Sequence, residues 1–134
     1  MEFNQTTKAI YLQIADHICD NILSAEFQAG ERLPSVRDYA AQLEVNANTM
    51  MRAYDYLQQR GLIFNRRGIG YFVAEDAPIA ILSHRREIFM KNELEYFFRR
   101  LNMFGITPGQ LSELYSDYTA EGRIPNQENN NENI

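Results

Sequence analysis

LPSVRDYAAQLEVNANTMMRAYDYL, residues Leu33 to Leu57, reads as two short helices joined by a tight turn. Pro34-Ser35 opens the first. Ser35 is placed to cap it, with Asp38 three residues on to complete a capping box. Val36, Tyr39, Ala40 and Leu43 form one apolar stripe at helical spacing. Glu44-Val45-Asn46 breaks the pattern, and Asn46 or Asn48 can cap the next helix. With Asn46 as the cap, Val45 and Met50 take the two positions of a hydrophobic staple. Met50, Ala53, Tyr54 and Leu57 then recur at i, i+3, i+4 and i+7.

The other face of the second helix carries the chemistry. At about 100° per residue, Asn48, Thr49, Arg52, Asp55 and Tyr56 point away from the apolar stripe. Asn, Thr and Arg are side chains that read base edges and phosphates in a DNA major groove. Two helices packed across a short turn, the second exposing such a face, make a helix-turn-helix. A helical hairpin with a solvated polar face would carry the same pattern.

The chain length, 134 residues, suits one main domain with a small appendage. The lone cysteine, Cys19, falls on the apolar face of the first helix, where a buried inert thiol is expected. No basic segment followed by an apolar run opens the chain, and no apolar run approaches the roughly 20 residues a membrane helix needs. A cytoplasmic protein is the simplest expectation. The net charge of −5 argues against indiscriminate nucleic-acid binding. Its distribution argues otherwise. Between Asn46 and Phe72, Arg52, Arg60, Arg66 and Arg67 face one acid, Asp55, for a local charge of +3. A small basic patch on an acidic protein suits a DNA reader that uses its surface twice, in a dimer.

Residues 1 to 8 read as a loose polar arm. Ala9 to Ala25 reads as the first long helix, with Ile10, Ile14, Ile18 and Ile22 repeating every four residues. His17 beside them has no second ligand at metal spacing. Phe27 to Arg32 is a connection, with Gly30 as a turn residue. After Leu57, Gly61 is placed to end the helix. Leu62-Ile63-Phe64 and Tyr71-Phe72-Val73 read as two strands around the turn NRRGIG, Asn65 to Gly70. Such a hairpin directly after a helix-turn-helix is a wing. Its arginines would meet phosphates along the backbone or minor groove.

The ordered set Gly30-x-x-Leu33-Pro34-Ser35-x-Arg37-x-x-Ala40-x-x-Leu43-x-Val45-Asn46-x-Asn48-Thr49-x-x-Arg52-Ala53-Tyr54-x-x-Leu57-x-x-x-Gly61, with Gly68-x-Gly70-x-Phe72-Val73 beyond it, resembles the winged-helix domain of the GntR family of bacterial transcriptional regulators. The resemblance spans about Ala9 to Ala74. It implies DNA contacts from an arginine early in the second helix, from the start of the recognition helix, and from the wing. Carried over, these are Arg37, Asn46, Asn48, Thr49 and Arg52, with Arg66, Arg67, Gly68 and Gly70 at the wing. Many members carry arginines where this chain has Ala47 and Met51. The Asn-x-Asn-Thr-x-x-Arg-Ala-Tyr run resembles instead the YtrA-type subfamily, whose C-terminal part is short.

The rest of the chain agrees with that subgroup. Residues 1–76 make the winged helix-turn-helix domain, 77–121 a helical dimerisation region, and 122–134 a polar, Asn-rich, disordered tail. Glu75-Asp76-Ala77-Pro78 reads as the linker. Ser83 to Phe104 reads as a helix bearing Ile88, Phe89, Leu94, Phe97, Phe98, Leu101 and Phe104. Gly105 ends it, and Thr107-Pro108-Gly109-Gln110 caps a second helix bearing Leu111, Leu114, Tyr115 and Tyr118. These aromatic stripes need burial, and a second copy is the economical cover.

The expected fold is therefore mainly α with a small β-hairpin wing. The expected function is a dimeric, sequence-specific DNA-binding regulator of double-stranded operator DNA, and a repressor before an activator. The resemblance implies control of a nearby operon, often a transporter operon. The alternative is a winged-helix module for protein–protein contact, which the acidic charge favours. An enzyme is not expected. The about sixty residues beyond the wing leave no room for the aminotransferase-like domain some relatives carry, and Lys91 is the only lysine there. No cofactor or metal is expected. A small-molecule effector would bind between the C-terminal helices or at the linker. His84, Arg85 and Arg86 are its polar candidates, with a solvated helix start the favoured reading.

Overall fold

The computed structural model describes residues 8–122. All but the last residue of the expected arm and all but the first of the expected tail lie outside the described residues. The elements in chain order are α1 (Ile10–Leu23), α2 (Val36–Leu43), α3 (Ala47–Gln59), β1 (Ile63–Arg66), β2 (Gly70–Val73), α4 (Ala77–Ile88), a π-helical segment Phe89–Glu93, α5 (Leu94–Met103) and α6 (Pro108–Ala120). They divide into two compact units, one ending at Glu87 and one starting at Ile88.

The core of the first unit comes from the stripes the sequence displays. Ile14, Ile18 and Ile22 of α1 are buried with Met50, Ala53, Tyr54 and Leu57 of α3. Cys19 is buried among them. Local signals set the helix ends. The Ser35 hydroxyl accepts the Asp38 N–H at 3.1 Å, and the Asn46 side-chain Oδ1 accepts the Asn48 N–H at 2.8 Å. Between them Glu44 turns the chain in the left-handed conformation at φ 55°. The Tyr54 hydroxyl donates to the Pro34 carbonyl oxygen at 2.6 Å and so ties α3 to the entry of α2.

β1 and β2 pair antiparallel, Ile63 with Val73, Phe64 with Phe72, Asn65 with Tyr71 and Arg66 with Gly70. The strands are thus longer, and the turn shorter, than the sequence suggests. The connection before Leu33 also differs from expectation. Gly30 N–H donates to the Val73 carbonyl at 2.8 Å, Val73 N–H to Glu31 at 2.9 Å and Leu33 N–H to Tyr71 at 2.8 Å. That segment lies along the free edge of β2 and covers it.

The expected linker is replaced by a turn and a helix. Glu75 and Asp76 turn the chain, and α4 starts at Ala77 with Pro78 in its first turn, where a missing N–H costs nothing. Ala77 and Ile81, one turn apart, join the core. Arg85 bonds the Asp20 carboxylate at 2.7 Å and the Asp16 carbonyl at 3.2 Å, and Arg60 meets the His84 ring nitrogen at 3.2 Å. The first compact unit therefore ends eleven residues later than the expected domain boundary at Asp76, because α4 buries an apolar edge on the winged helix. His84 and Arg85, weighed as effector ligands, are engaged in fastening α4.

In the second unit no described residue is buried. Leu94, Leu101 and Leu111 are half-buried, while Phe97, Phe98, Phe104, Leu114 and Tyr115 are exposed. The cap of α6 forms as read. Thr107 Oγ1 accepts from Gln110 N–H at 3.2 Å, and Gln110 Oε1 accepts from Thr107 N–H at 2.9 Å. Among the described residues no helix is long and apolar enough to cross a membrane.

Two outcomes follow for stability. Tyr54→Phe should lower unfolding free energy by about 1–2 kcal/mol in urea titration, because the half-buried Pro34 carbonyl loses its donor. Burial pushes the Cys19 thiol from 9.0 up to about 11. The unfolded chain then ionises first as pH rises, so this thiol's contribution to stability is intact below pH 9 and lost between pH 9 and 11. Native protein at pH 8 should resist a thiol-reactive dye that labels it at once in urea.

Candidate nucleic-acid interface

Helix α3 presents its polar face because its apolar face has no other place to go. Met50, Ala53, Tyr54 and Leu57 are all fully buried, which leaves Asn48, Arg52 and Asp55 exposed and Thr49 half-buried at the margin. Asn46 spends its side-chain oxygen on capping α3 and keeps its amide donors. Tyr56 departs from the sequence reading. It is half-buried, its ring 6.2 Å from that of Tyr11 and nearly perpendicular to it. Arg60 also departs. It forms the C-cap of α3, at the end opposite Asn46, and its guanidinium lies 4.7 Å over Tyr56. Of the arginines of the +3 stretch, Arg52, Arg66 and Arg67 are the exposed ones away from that C-cap. Arg37 adds a fourth from the first turn of α2, where it is exposed.

The wing builds its own platform. Phe64 and Phe72 are cross-strand partners and stack with centroids 5.7 Å apart. The Arg66 guanidinium lies over both rings, at 5.6 and 5.2 Å. Arg66 and Gly70 are paired strand residues, where the sequence placed both in the turn. Arg67, Gly68 and Ile69 make the actual tip, closed by the Ile69 N–H bonding to the Arg66 carbonyl at 2.9 Å. Gly68 and Gly70 hold φ of +81° and +138°. A Cβ on Gly70 would come within 3.0 Å of the Arg32 side chain.

Arg32 is thus a residue the sequence reading missed. It is exposed, bridges to Phe72 through its backbone, and lies against Gly70. The signal available was its place just before Leu33-Pro34, but it was read as connection. The structure brings Arg32, Arg66 and Gly70 together on the wing. It joins Arg52 to Tyr11, whose ring centroid is 4.2 Å from the guanidinium carbon.

Comparison with known proteins identifies the family. The family model described as bacterial regulatory proteins, gntR family, matches residues 10–73. The HTH-type transcriptional regulator YhcF of Bacillus subtilis is 36% identical over 118 residues, covering 88% of this chain and 96% of that protein. The chain belongs to the GntR family. A crystal structure of a GntR-family transcriptional regulator from Bacteroides thetaiotaomicron is 47% identical, with a TM-score of 0.75 over 85% of this chain and 99% of that one. The HTH-type transcriptional repressor YtrA of Bacillus subtilis is 26% identical over 87% of this chain and 89% of its own length. GntR membership makes the protein a DNA-binding transcriptional regulator, and the match to YhcF over 96% of that regulator's length makes it no enzyme. The YtrA-type resemblance read from the sequence agrees with these relatives. Ala47 and Met51 are exposed and uncharged, so the exposed positive charge next to the start of α3 is that of Arg37 and Arg52.

Gly70→Ala should therefore do double damage. It forces a side chain into a left-handed backbone against Arg32, at a cost of about 1–3 kcal/mol in thermal unfolding. Nitrogen-15 NMR should show the shifts of Arg66 to Phe72 displaced while those of α1 stay.

Proposed function

We propose that this GntR protein is a homodimeric, sequence-specific repressor of a nearby operon. The observation that carries the dimer is the second unit without a core. Its helices are regular and α6 is capped, yet none of its described residues is buried and eleven large apolar or aromatic side chains face solvent. Helices of 10 and 13 residues do not hold together in water without covering such faces. A second copy supplies an equal and self-complementary face. Residues 88–121 form that interface, through Ile88, Phe89, Leu94, Phe97, Phe98, Leu101, Phe104, Leu111, Leu114 and Tyr115.

Each subunit then places one recognition surface on the DNA. The start of α3 enters the major groove. Asn48, Thr49 and Arg52 contact bases or nearby phosphates, and Asn46 contributes its amide donors. Arg37 bonds the backbone from α2. Arg66, held over Phe64 and Phe72, and Arg67 at the tip bond it from the wing, where Gly68 and Gly70 permit close approach. Repression takes support from the YtrA relative, which is itself a repressor. The resemblance points to a transporter operon as the target.

The experiments use a duplex from upstream of the protein's own gene. Phe98→Glu should turn a dimer in light scattering into a monomer and abolish binding at concentrations that saturate the parent. Arg52→Ala should weaken this duplex by about 1–3 kcal/mol and leave unrelated duplexes nearly unchanged. Arg67→Ala should weaken both alike and lower the salt slope by about one. A monomeric parent protein that still binds the duplex fully would overturn the dimer.

A further inference from the structure

We propose that Tyr11, on the first helix and outside the recognition helix, is a positioning residue for DNA reading, because its ring holds the Arg52 guanidinium in place before DNA arrives. The proposal rests on the assignment of Arg52 as a base-contacting residue. The guanidinium carbon of Arg52 lies 4.2 Å from the Tyr11 ring centroid, the shortest of the cation–ring contacts among the described residues. The ring is itself anchored. Tyr11 is half-buried and packs against the core, and the Tyr56 ring meets it nearly edge-on at 6.2 Å. Arg60 covers Tyr56 in turn at 4.7 Å. A rigid tyrosine on α1 thus presents a π-face to a long, flexible side chain on α3.

The chemistry of that contact suits reading. An ion pair would occupy the N–H donors that a guanine edge or a phosphate needs. A ring face attracts the cation through its quadrupole and leaves those donors available. Among the described residues no ion pair engages Arg52; Asp55, three residues on, does not pair with it. An arginine ordered in advance also loses less side-chain freedom on binding. The same contact strengthens when DNA excludes water from it.

The test is a double-mutant cycle on the intact protein. Tyr11→Leu keeps apolar packing and removes the π-face, Tyr11→Phe keeps the face, and both are made with and without Arg52→Ala. Affinities are measured for the protected duplex from upstream of its own gene, for its single-base-pair variants and for an unrelated duplex. Tyr11→Leu should raise Kd for the specific duplex about two- to fivefold. It should lose discrimination at the same base pairs that Arg52→Ala loses, and leave the unrelated duplex unchanged. In the Arg52→Ala background it should add nothing, and Tyr11→Phe should bind like the parent. The proposal is overturned if Tyr11→Leu weakens all duplexes alike, if its effect persists without Arg52, or if Tyr11→Phe behaves like Tyr11→Leu. If Tyr11→Leu fails a thermal-melt check, Tyr11→Met takes its place. An Arg52→Ala protein that discriminates like the parent would instead refute the base-contact assignment, and the role of Tyr11 with it.

Discussion

Helix α3 faces two ways, and burial of one face fixes the direction of the other. Met50, Ala53, Tyr54 and Leu57 are each fully buried against α1, α2 and the sheet. Each large side chain is worth about 1.5–3 kcal/mol when taken out of water. Turning α3 by even one residue would bring part of that surface into solvent. The Tyr54 hydroxyl adds a directional lock, since its bond to Pro34 fixes where α2 begins relative to α3. The orientation of Asn48 and Arg52 is therefore set by core packing. Functional geometry here is a by-product of a hydrophobic constraint, which is why a small domain can present it reliably.

Much of this was legible in the residues. The i, i+3, i+4, i+7 spacing of α3 and the fourfold isoleucine repeat of α1 identify the core; Ser35 and Thr107 cap the helices they were expected to cap, and of the two candidates Asn46 and Asn48 it is Asn46 that caps α3. What escaped reading depends on long-range contact. Ala77 and Ile81 are too few and too plain to announce a buried helix edge, so the start of α4 looked like a linker. Arg66 looked like a turn residue because two glycines follow closely. Only the cross-strand register shows that it sits over Phe64 and Phe72. Arg32 and Tyr11 gain their importance from neighbours 38 and 41 residues away, Gly70 and Arg52, which no local pattern can reveal.

Electrostatics divides along the same line. The chain carries a net charge of −5, yet its candidate DNA surface has exposed arginines at Arg37, Arg52, Arg66 and Arg67. Two of them are held by aromatic rings, Arg52 by Tyr11 and Arg66 by Phe64 and Phe72. Ring faces orient a cation without neutralising it, so the scarce positive charge stays available to phosphate or base. An acidic remainder disfavours binding to arbitrary DNA and makes affinity depend on fit, and duplication in a dimer would make two modest surfaces into one selective one.

The most direct measurement is a footprint on the DNA upstream of the protein's own gene, repeated across a salt series. The account predicts protection of a two-fold repeat whose half-sites are centred about one helical turn, or a multiple of it, apart, with binding that falls steeply as salt rises. A single protected half-site, or no protection at low salt, would contradict it.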